Sequence, residues 1–407
     1  MLRSMYSGIS GLRNFQTKLD VIGNNIANVN TAGFKKGRVT FKDAMSQTIA
    51  GASASTENRG GKNSMQVGLG SSLSTIDTIH TGSSLQTTNR PQDLAIEGDG
   101  YFVVKQGNAE FYTRAGNFYL DDNGTLVNGD GYKVQAYQVN DGKVSNTYGN
   151  VTINVNALLP ATTTSKIDIA GNLDPNTLKD EVFTQQVKVV DTKGKEHTID
   201  VKYKKDTDPD SDPTVPQTWN VYFGKDTTGT EDLVITFPLD PTTPPTITGD
   251  ITLSDGTTIS GTDLTLSVEE LTSTAGSGIS VMAAPNGFTA GKLESFSIGA
   301  MGEINGVYSN GQISTLGRLA IAKFSNTSGL NKTGGNLFQE TISSGPANVG
   351  AAGEGRGTIA SGALEMSNVD LSEEFTEMIT AQRGFQANTR IITTSDEILQ
   401  ELVNLKR

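Results

Sequence analysis

Residues 19–35 read LDVIGNNIANVNTAGFK, and this stretch decides how the N-terminal part of the chain folds. Leu19, Ile22 and Ile26 recur at the three- and four-residue spacing of an amphipathic helix. Four asparagines interrupt that pattern at positions 24, 25, 28 and 30. Asparagine is a poor helix former because its short amide competes for the hydrogen bonds of the backbone. The stretch therefore predicts a helix that ends near residue 30 and carries amides with partners elsewhere.

A heptad-like pattern of apolar residues occupies each end of the chain. The first consists of Leu2, Met5, Ile9, Leu12, Leu19 and Ile26, and the second of Leu371, Phe375, Met378, Phe385, Ile392, Leu399 and Val403. Other positions in the same register are glycine or polar, namely Gln16, Gly23, Gln382, Thr389 and Asp396. The patterns predict a helix of about 26 residues at the N-terminus and a second helix, with Asp370 or Ser367–Asn368 as its N-cap, at the C-terminus.

Two arrangements of these helices are open. They pair with each other as a coiled-coil-like unit, or they order fully only against neighbouring copies of the chain. The polar positions in both patterns weaken a lone pair, and the intervening sequence offers no further helical layer. We therefore expect a protein that assembles with itself.

Composition limits the function classes. The 407 residues carry a net charge of -12, which disfavours nucleic acid and anionic membrane surfaces as partners. The chain has no cysteine, so disulfides, thiolate metal sites and cysteine catalysis are excluded. No apolar run is long enough to span a membrane, and the first residues lack the apolar core of a Sec-type signal peptide. If the protein leaves the cell, we expect another route.

The interior reads as short strands and tight turns, and the 46 glycines fit that interpretation. The sequence predicts a mainly β protein with terminal helices and a nested, multidomain organisation. We expect a terminal helical polymerisation domain (1–30 and 365–407), an extended connector (31–72), an inner β domain (73–145 and 285–360) and an inserted outer β domain (146–284). The insert is richer in Thr, Asp and Pro than its flanks, and a hairpin is predicted around Lys193–Gly194.

Candidate chemical sites are few. The two histidines, His80 and His197, have no carboxylate cluster near them in sequence, so we expect no metal site and no catalytic role. The alternating aspartates of 206–212 could bind calcium, but Ser211 stands where an EF-hand needs glycine, which favours a solvated loop. The glycine-rich stretch 350–357 lacks the GK[ST] of a phosphate loop. We expect no enzyme and no cofactor.

Both ends of the chain and its middle resemble bacterial flagellar rod and hook proteins. The N-terminal MLRSMYSGISGL and LDVIGNNIANVNTAGFKKGRVTFKD resemble the family's N-terminal signature. The C-terminal SNVDLSEEFTEMITAQRGFQANTRIITTSDEILQELVNLKR is similar to the family's terminal helix. DLAIEGDGYFVV, FYTRAGNFYLDDNGTLVNGDGYKVQAY and YSNGQISTLGRLAIAKFSN are similar to the family's inner β domain. Within the family, hook proteins fit better than the distal rod protein, because 146–284 is a long insertion.

The resemblance implies a structural protein of the flagellum that polymerises into a flexible tube, a universal joint that transmits torque from rod to filament. It implies terminal helices inside the tube, the inner β domain in the wall and the insert outside. Implied partners are copies of the chain, the flagellar rod, the hook cap, hook–filament junction and length-control proteins, and the type III export apparatus. The implied location is the extracellular hook. The alternatives are the distal rod protein of the basal body and a non-flagellar fibre-like or adhesin-like β protein.

The resemblance suggests a role for the asparagines at the end of the first helix. Asn28 to Gly33 suits the exit of a helix, because asparagine and glycine tolerate left-handed backbone. Asn24 and Asn25 would bond to neighbouring subunits of a tube. The predicted polymerisation interface consists of Ile22, Asn24, Asn25, Asn28 and the apolar residues of the two heptad-like patterns.

Overall fold

The structure is a computed structural model that describes residues 2–55, 59–140, 143–154, 158–207, 216–224, 227, 231–238, 245–248 and 265–404. The described chain contains two α-helices, α1 (Leu2–Ala27) and α2 (Leu371–Asn404), and a 3-10 turn at Thr327–Gly329. It divides into two compact units. Unit 1 comprises Met1–Ile153, Phe296–Asn305 and Thr315–Arg407, and unit 2 comprises Asn154–Ser295 and Gly306–Ser314.

The strands of the first third of the chain are β1 (Gly37–Asp43), β2 (Ser46–Ala50), β3 (Met65–Gly68), β4 (Ser71–Thr78), β5 (Leu85–Thr87), β6 (Leu94–Glu97), β7 (Tyr101–Gln106), β8 (Ala109–Thr113), β9 (Tyr119–Leu120), β10 (Leu126–Val127), β11 (Lys133–Asn140) and β12 (Lys143–Asn150). Those that follow are β13 (Leu158–Leu159), β14 (Lys166–Asn172), β15 (Val182–Val190), β16 (Glu196–Lys205), β17 (Gln217–Phe223), β18 (Leu233–Phe237), β19 (Thr246–Thr248), β20 (Thr265–Thr272) and β21 (Ser280–Pro285). The last are β22 (Gly291–Ile298), β23 (Glu303–Tyr308), β24 (Ile313–Lys323), β25 (Asn331–Gly334), β26 (Leu337–Gln339), β27 (Asn348–Ala351), β28 (Thr358–Ser361) and β29 (Ala363–Glu365).

Unit 1 is built on antiparallel strands from both sides of the insertion. The neighbours run β24, β11, β7, β8, β26 and β25, and β24 also pairs with β7 and β27. Its core is aromatic and aliphatic, with buried Tyr101, Val103, Tyr112, Ala320, Ala322, Phe324, Leu330 and Phe338. Strands separated by about 200 residues thus share one apolar face, which makes the unit discontinuous in sequence.

Unit 2 contains two sheets around a separate apolar core. Strands β15 to β19 form an antiparallel sheet in chain order, and β14 pairs with β20 in parallel and with β21 antiparallel. Trp219 and Tyr203 are fully buried in the core. The predicted hairpin at Lys193–Gly194 is confirmed: Gly194 has φ 77° and the Asp191 carboxylate accepts from the backbone of Lys193 and Lys195.

The start of unit 2 lies at Asn154, eight residues beyond the start predicted for the insert at 146. The reason is β12, which pairs with β11 of unit 1 through Asn150. Residues 285–295, which the sequence assigned to the inner β domain, belong to unit 2 together with 306–314.

Residues 37–78, here called the arm, fold back on themselves. β1 pairs with β4 from Gly37–Thr78 to Asp43–Ser71, and β2 pairs with β3. The sequence predicted an extended connector for 31–72. The strands are extended, but their pairing was not predicted, because glycine, serine and threonine mask the alternation of apolar residues that marks a strand.

The fold class is confirmed: the described chain is mainly β, with one helix at each end, and the two helices pack together. The predicted length of the first helix matches the 26 residues of α1. Asp370 caps α2, because its carboxylate accepts from Ser372 N at 2.8 Å. Of the two arrangements left open for the helices, the structure shows the first, in which they pair with each other within one chain.

Candidate assembly surface

The contact between α1 and α2 depends on small residues. Pairs of neighbours run in opposite directions along the two helices, from Gly8 beside Ile392 to Gly11 beside Asn388, so the helices are antiparallel. A Cβ on Gly384 would lie 2.5 Å from the Phe15 ring. Helix backbones approach this closely only where one residue lacks a side chain. The glycines therefore set the distance between the helices.

The buried side of α2 does not coincide with its apolar pattern. Among the α2 residues whose side chains are described, the buried ones are Glu374, Ala381 and Ser395, which are small or polar. Of the predicted apolar residues, Met378, Ile392 and Leu399 lie half-buried at the edge of this face. The helix contact therefore includes only part of the predicted pattern, and it leaves Leu371, Phe375, Phe385 and Val403 exposed.

Those exposed side chains belong to what we call the apolar flank. Phe375 is 50% exposed and Phe385 37%, although both are large apolar residues. The flank consists of Tyr6, Ile9, Leu371, Phe375, Ile379, Phe385, Ile391, Ile398 and Val403. Tyr6, Ile379, Ile391 and Ile398 were not predicted from the sequence. Ile379 could have been found, because it lies one turn after Phe375.

The other predicted residues are placed as follows. Met5, Leu12, Leu19, Ile26 and Asn28 are half-buried, Ile22 is buried, and Asn24 is exposed. Leu2 belongs to α1, but its side chain lies outside the description. The helix exit is as proposed: the Asn28 side chain donates to Asn24 O at 2.9 Å, and Gly33 has φ 70°.

The amide of Asn25 bonds within its own chain, which differs from the hypothesis that it contacts a neighbouring subunit. It is only 1% exposed, and its bonds lie within the chain. Its side chain donates to Gly37 O at 2.8 Å and accepts from Gly37 N at 2.9 Å. It also donates to Glu374 Oε2 at 3.2 Å. The amide thus imitates a paired strand and fastens the first residue of the arm to both helices.

Charged pairs reinforce that fastening. Lys36 Nζ lies 2.7 Å from Glu373 Oε2, and Lys18 Nζ lies 3.1 Å from Glu377 Oε2. Burial raises the pKa of Glu374, and the hydrogen bond from Asn25 opposes that shift. The ion pairs are partly exposed and contribute little each, so the buried amide contact is the stronger constraint.

A buried ion cluster lies just beyond the helices, between residues 33–36 and the strand that precedes α2. The Glu365 carboxylate accepts from Lys35 Nζ at 2.6 Å and from Arg114 Nη1 at 3.2 Å. The side chains of Lys35, Glu365 and Arg114 are all at least 96% buried. Arg114 also donates to Gly98 O at 2.7 Å. Burial lowers the pKa of Lys35, and the Glu365 charge opposes that shift.

This cluster was not predicted, because its three charges come from three distant parts of the sequence. It joins the root of α1, the strand before α2 and the β core of unit 1. Gly33 N donates to Glu365 O at 2.8 Å, so the backbone follows the same path. The placement of the helix pair against the β core of unit 1 therefore involves the Glu365 carboxylate directly.

The arm carries further exposed apolar side chains. The most exposed of them are Met45, Ile49, Met65 and Ile76. They were not predicted as interface residues, because polar residues outnumber them in the stretch. Like the apolar flank, they are surfaces that a soluble monomer seldom leaves uncovered.

The remaining candidates from the sequence are a metal site, the two histidines and a membrane span. Within the described residues, no three carboxylate or histidine side chains gather where they could hold a metal ion. Asp208, Asp210 and Asp212 lie outside the described residues. His197 Nε2 lies 3.2 Å from Asp191 Oδ2 in unit 2. Neither described helix is long and apolar enough to cross a membrane.

Comparison with known proteins assigns these features to a family. Three family models match: "Flagella basal body rod protein" at residues 5–35, "Flagellar hook protein FlgE/F/G D1 domain" at 95–173, and "Flagellar basal body rod FlgEFG protein C-terminal" at 360–405. The flagellar hook protein FlgE of Borreliella burgdorferi is 39% identical over 447 residues that cover 100% of both chains. The chain belongs to the flagellar hook and rod protein family.

Other relatives are members of the same family. The flagellar basal-body rod protein FlgG of Bacillus subtilis is 41% identical over 411 residues and covers 100% of both chains. The FlgE of Salmonella typhimurium is 34% identical, with 99% of this chain and 100% of the relative covered. A crystal structure of Helicobacter pylori FlgE2 is similar in fold, with a TM-score of 0.54, 18% identity, and coverage of 69% of this chain and 100% of that one.

The ion cluster yields a stability prediction for this hook and rod family member. Glu365→Gln leaves Lys35 and Arg114 buried without a full counter-charge, so unit 1 should lose about 3–5 kcal/mol of unfolding free energy. Denaturant unfolding of the monomer, followed by the helical circular dichroism signal, measures the loss.

Glu373→Gln is the matched control. It removes a largely exposed carboxylate that pairs with Lys36, so it should cost at most about 1 kcal/mol. Equal losses in the two variants would show that the cluster is no more important than a surface ion pair.

Proposed function

We propose that the protein is a structural subunit of the flagellar hook that polymerises into a flexible tube linking the rod to the filament. The apolar flank of the helix pair carries this proposal, because a folded monomer leaves it uncovered. Relatives named flagellar hook protein FlgE match the whole chain, and they support the hook in particular.

The energetics of the flank favour association. Phe375, Ile379 and Phe385 project from one helix within three turns, and each contributes about 1.5–3 kcal/mol when fully buried. A tube brings many copies together, so each copy can cover such residues on both sides of its helix pair. Leu371, Phe375 and Ile379 lie on one side of the α2 contact face, and Ile391 and Ile398 lie on the other. Two sides of exposed apolar residues suit contact with two neighbours.

The parts of the chain receive separate roles in this proposal. The terminal segments 1–30 and 365–407 form the polymerisation domain inside the tube, and the arm links them to a wall made by the inner β domain. The inserted domain forms the outer surface, whose contacts influence bending. Rod, hook cap, hook–filament junction and length-control proteins and the type III export apparatus are the partners we propose, with the hook outside the cell as the location.

The rod protein is the second candidate. The relative named FlgG aligns over 411 residues with full coverage of both chains, so it spans the insert as well. The insert therefore does not by itself separate hook from rod. Expression in cells that lack either the hook protein or the distal rod protein distinguishes the two: the hook proposal requires rescue of motility in the first strain.

The polymerisation role can be tested at Phe385. Phe385→Asp places a charge on the apolar flank, where it remains solvated in the monomer and would be desolvated in a polymer. We expect the thermal midpoint of the monomer to fall by only a few degrees, roughly 2–5 °C, because Phe385 is 37% exposed before the change. Polymer yield, measured by sedimentation and electron microscopy, should fall at least tenfold.

Gln386→Asp adds the same charge at the next residue, whose side chain is polar and exposed. It should reduce the polymer yield less than Phe385→Asp does. The proposed interface is contradicted if Phe385→Asp polymerises normally, or if its monomer is destabilised as much as its polymer.

The role of the insert can be tested by a deletion that the strand pairing suggests. Leu158 pairs with Lys292 and Leu159 with Gly291, so residues 160–290 can be replaced by a short glycine-containing hairpin turn. Unit 1 should still fold, because its core contains none of the removed residues. Tubes should still form in cells that lack their own hook protein, with altered curvature. Folded and exported protein that makes no tubes would place the insert in the wall.

A further inference from the structure

The His80 ring occupies an unusual position next to the ion cluster of Glu365. Its Nδ1 lies 2.7 Å from the Tyr101 hydroxyl, and the ring packs edge-on against Tyr101 and Phe338. Its Nε2 is buried and has no hydrogen-bond partner. A neutral imidazole that donates its Nδ1–H to the Tyr101 hydroxyl leaves Nε2 as a bare acceptor, whereas an imidazolium would add an Nε2–H donor and a charge that nothing receives.

The charges that face His80 are mostly positive. Lys35 and Arg114 belong to the ion cluster, and Lys332 Nζ donates to Lys35 O at 2.9 Å. Burial and the charges of Lys332, Lys35 and Arg114 lower the pKa of His80 to about 4. In the cluster, the single negative charge of the Glu365 carboxylate pairs with two of these cations, so a net positive charge remains. Asp99, which lies on the Tyr101 side, is largely exposed and pairs with Lys323.

His80 also belongs to the segment that holds both terminal helices at their roots. In this segment, residues 79–83, Ile79 N donates to Lys36 O at 2.9 Å and Ile79 O accepts from the Asn368 side chain at 2.8 Å. Thr81 O accepts from Lys35 Nζ at 2.8 Å. Ser83 N donates to Glu365 Oε1 at 3.3 Å, and its hydroxyl donates to Met366 O. Bonds to the chain after α1 and to the chain before α2 thus alternate along these five residues.

We propose that His80 is an acid-operated release for the terminal helix pair. Protonation puts a fourth positive charge beside Lys35, Arg114 and Lys332, with one buried carboxylate among them. The added repulsion and the unpartnered Nε2–H disrupt the segment 79–83, and both helix roots come free of the β core of unit 1. The proposal concerns the single chain and does not depend on polymerisation.

The direction of the pH effect follows from linkage. The folded state binds the proton of His80 more weakly than the unfolded state does, since the pKa falls from 6.5 to about 4. We call the segment 79–83 and its partner residues, 33–36 and 363–370, the junction. The stabilisation that neutral His80 gives the junction is fully present above about pH 6.5 and is lost as the pH falls from 6.5 to about 4. Allowing for partial solvent screening, the opening equilibrium of the junction should rise roughly 10- to 100-fold across this window.

Hydrogen exchange of the full-length monomer, measured by mass spectrometry between pH 7.5 and 4 and corrected for intrinsic rates, tests the proposal. Peptides that cover 33–36, 79–84 and 363–370 report on the junction, and peptides from β15 and β16 in unit 2 serve as an internal reference. In the unaltered chain, junction protection should fall roughly 10- to 100-fold more than reference protection.

His80→Asn removes the titration and keeps an amide, which can donate to or accept from the Tyr101 hydroxyl. This variant should retain junction protection at pH 4 to within about threefold of its value at pH 7.5. His197→Asn, which alters the other histidine of the chain, should behave like the unaltered protein. If His80→Asn does not fold, His80→Phe keeps the ring packing and replaces it in the test.

Two results of the exchange measurement would overturn the proposal, and so would a stability loss in the His80 variants that does not change with pH. One is a parallel loss of junction protection in the unaltered chain and in the folded His80 variant. The other is a junction that stays fully protected down to pH 4 in the unaltered chain. A loss of stability that is the same at every pH would mark His80 as a packing residue only.

Discussion

The Glu365 carboxylate, held between Lys35 and Arg114, is the constraint on which the arrangement of unit 1 depends. Each of these charges comes from a different segment, and all three are removed from water. Removal of such groups from water costs several kcal/mol per ion, so the cluster forms only when all three segments are in place. The cluster therefore adds little net stability, but it favours the one arrangement in which all three segments meet. The segments it joins are the roots of both terminal helices and the β core.

In the helix pair, the contact face and the exposed flank differ in their side chains. In the contact between α1 and α2, glycines face Phe15, Ile392 and the amide of Asn388, and the backbones approach closely there. Large apolar residues occupy the flank, where they remain exposed. A pair built in the usual way would bury the large residues inside and present polar ones to water. The exposure of large apolar residues on the flank fits a subunit whose main apolar contacts are with other copies.

Sequence patterns predicted the features that depend on neighbours along the chain. The length of α1, the Asp370 cap and the turn at Gly194 follow from local spacing and local hydrogen bonds. Many of the apolar residues of both helices were also identified, although Tyr6, Ile379, Ile391 and Ile398 were missed, and the face that meets the partner helix was predicted only in part. Periodicity shows which residues share a side, and only the distance between two backbones shows which side is buried.

Features that join distant segments escaped prediction. Lys35 and Glu365 are 330 residues apart, and no local pattern links them. Asn25 appeared as an interruption of a helix, and its role is to bond the backbone of Gly37 and the carboxylate of Glu374. The pairing of the arm was missed for a related reason, since its strands contain few apolar residues. Polar contacts in a buried site depend on geometry that residue types alone do not determine.

The central claim is that the apolar flank forms contacts between subunits while the Glu365 cluster holds the helix pair in place. A cryo-EM map of the assembled polymer, at a resolution that shows side chains, tests it most directly. The account predicts that Phe375, Ile379 and Phe385 are covered by side chains of neighbouring copies and that Glu365 still contacts Lys35 and Arg114. A polymer in which these three apolar side chains face solvent, or in which the helices of one chain have separated, would contradict it.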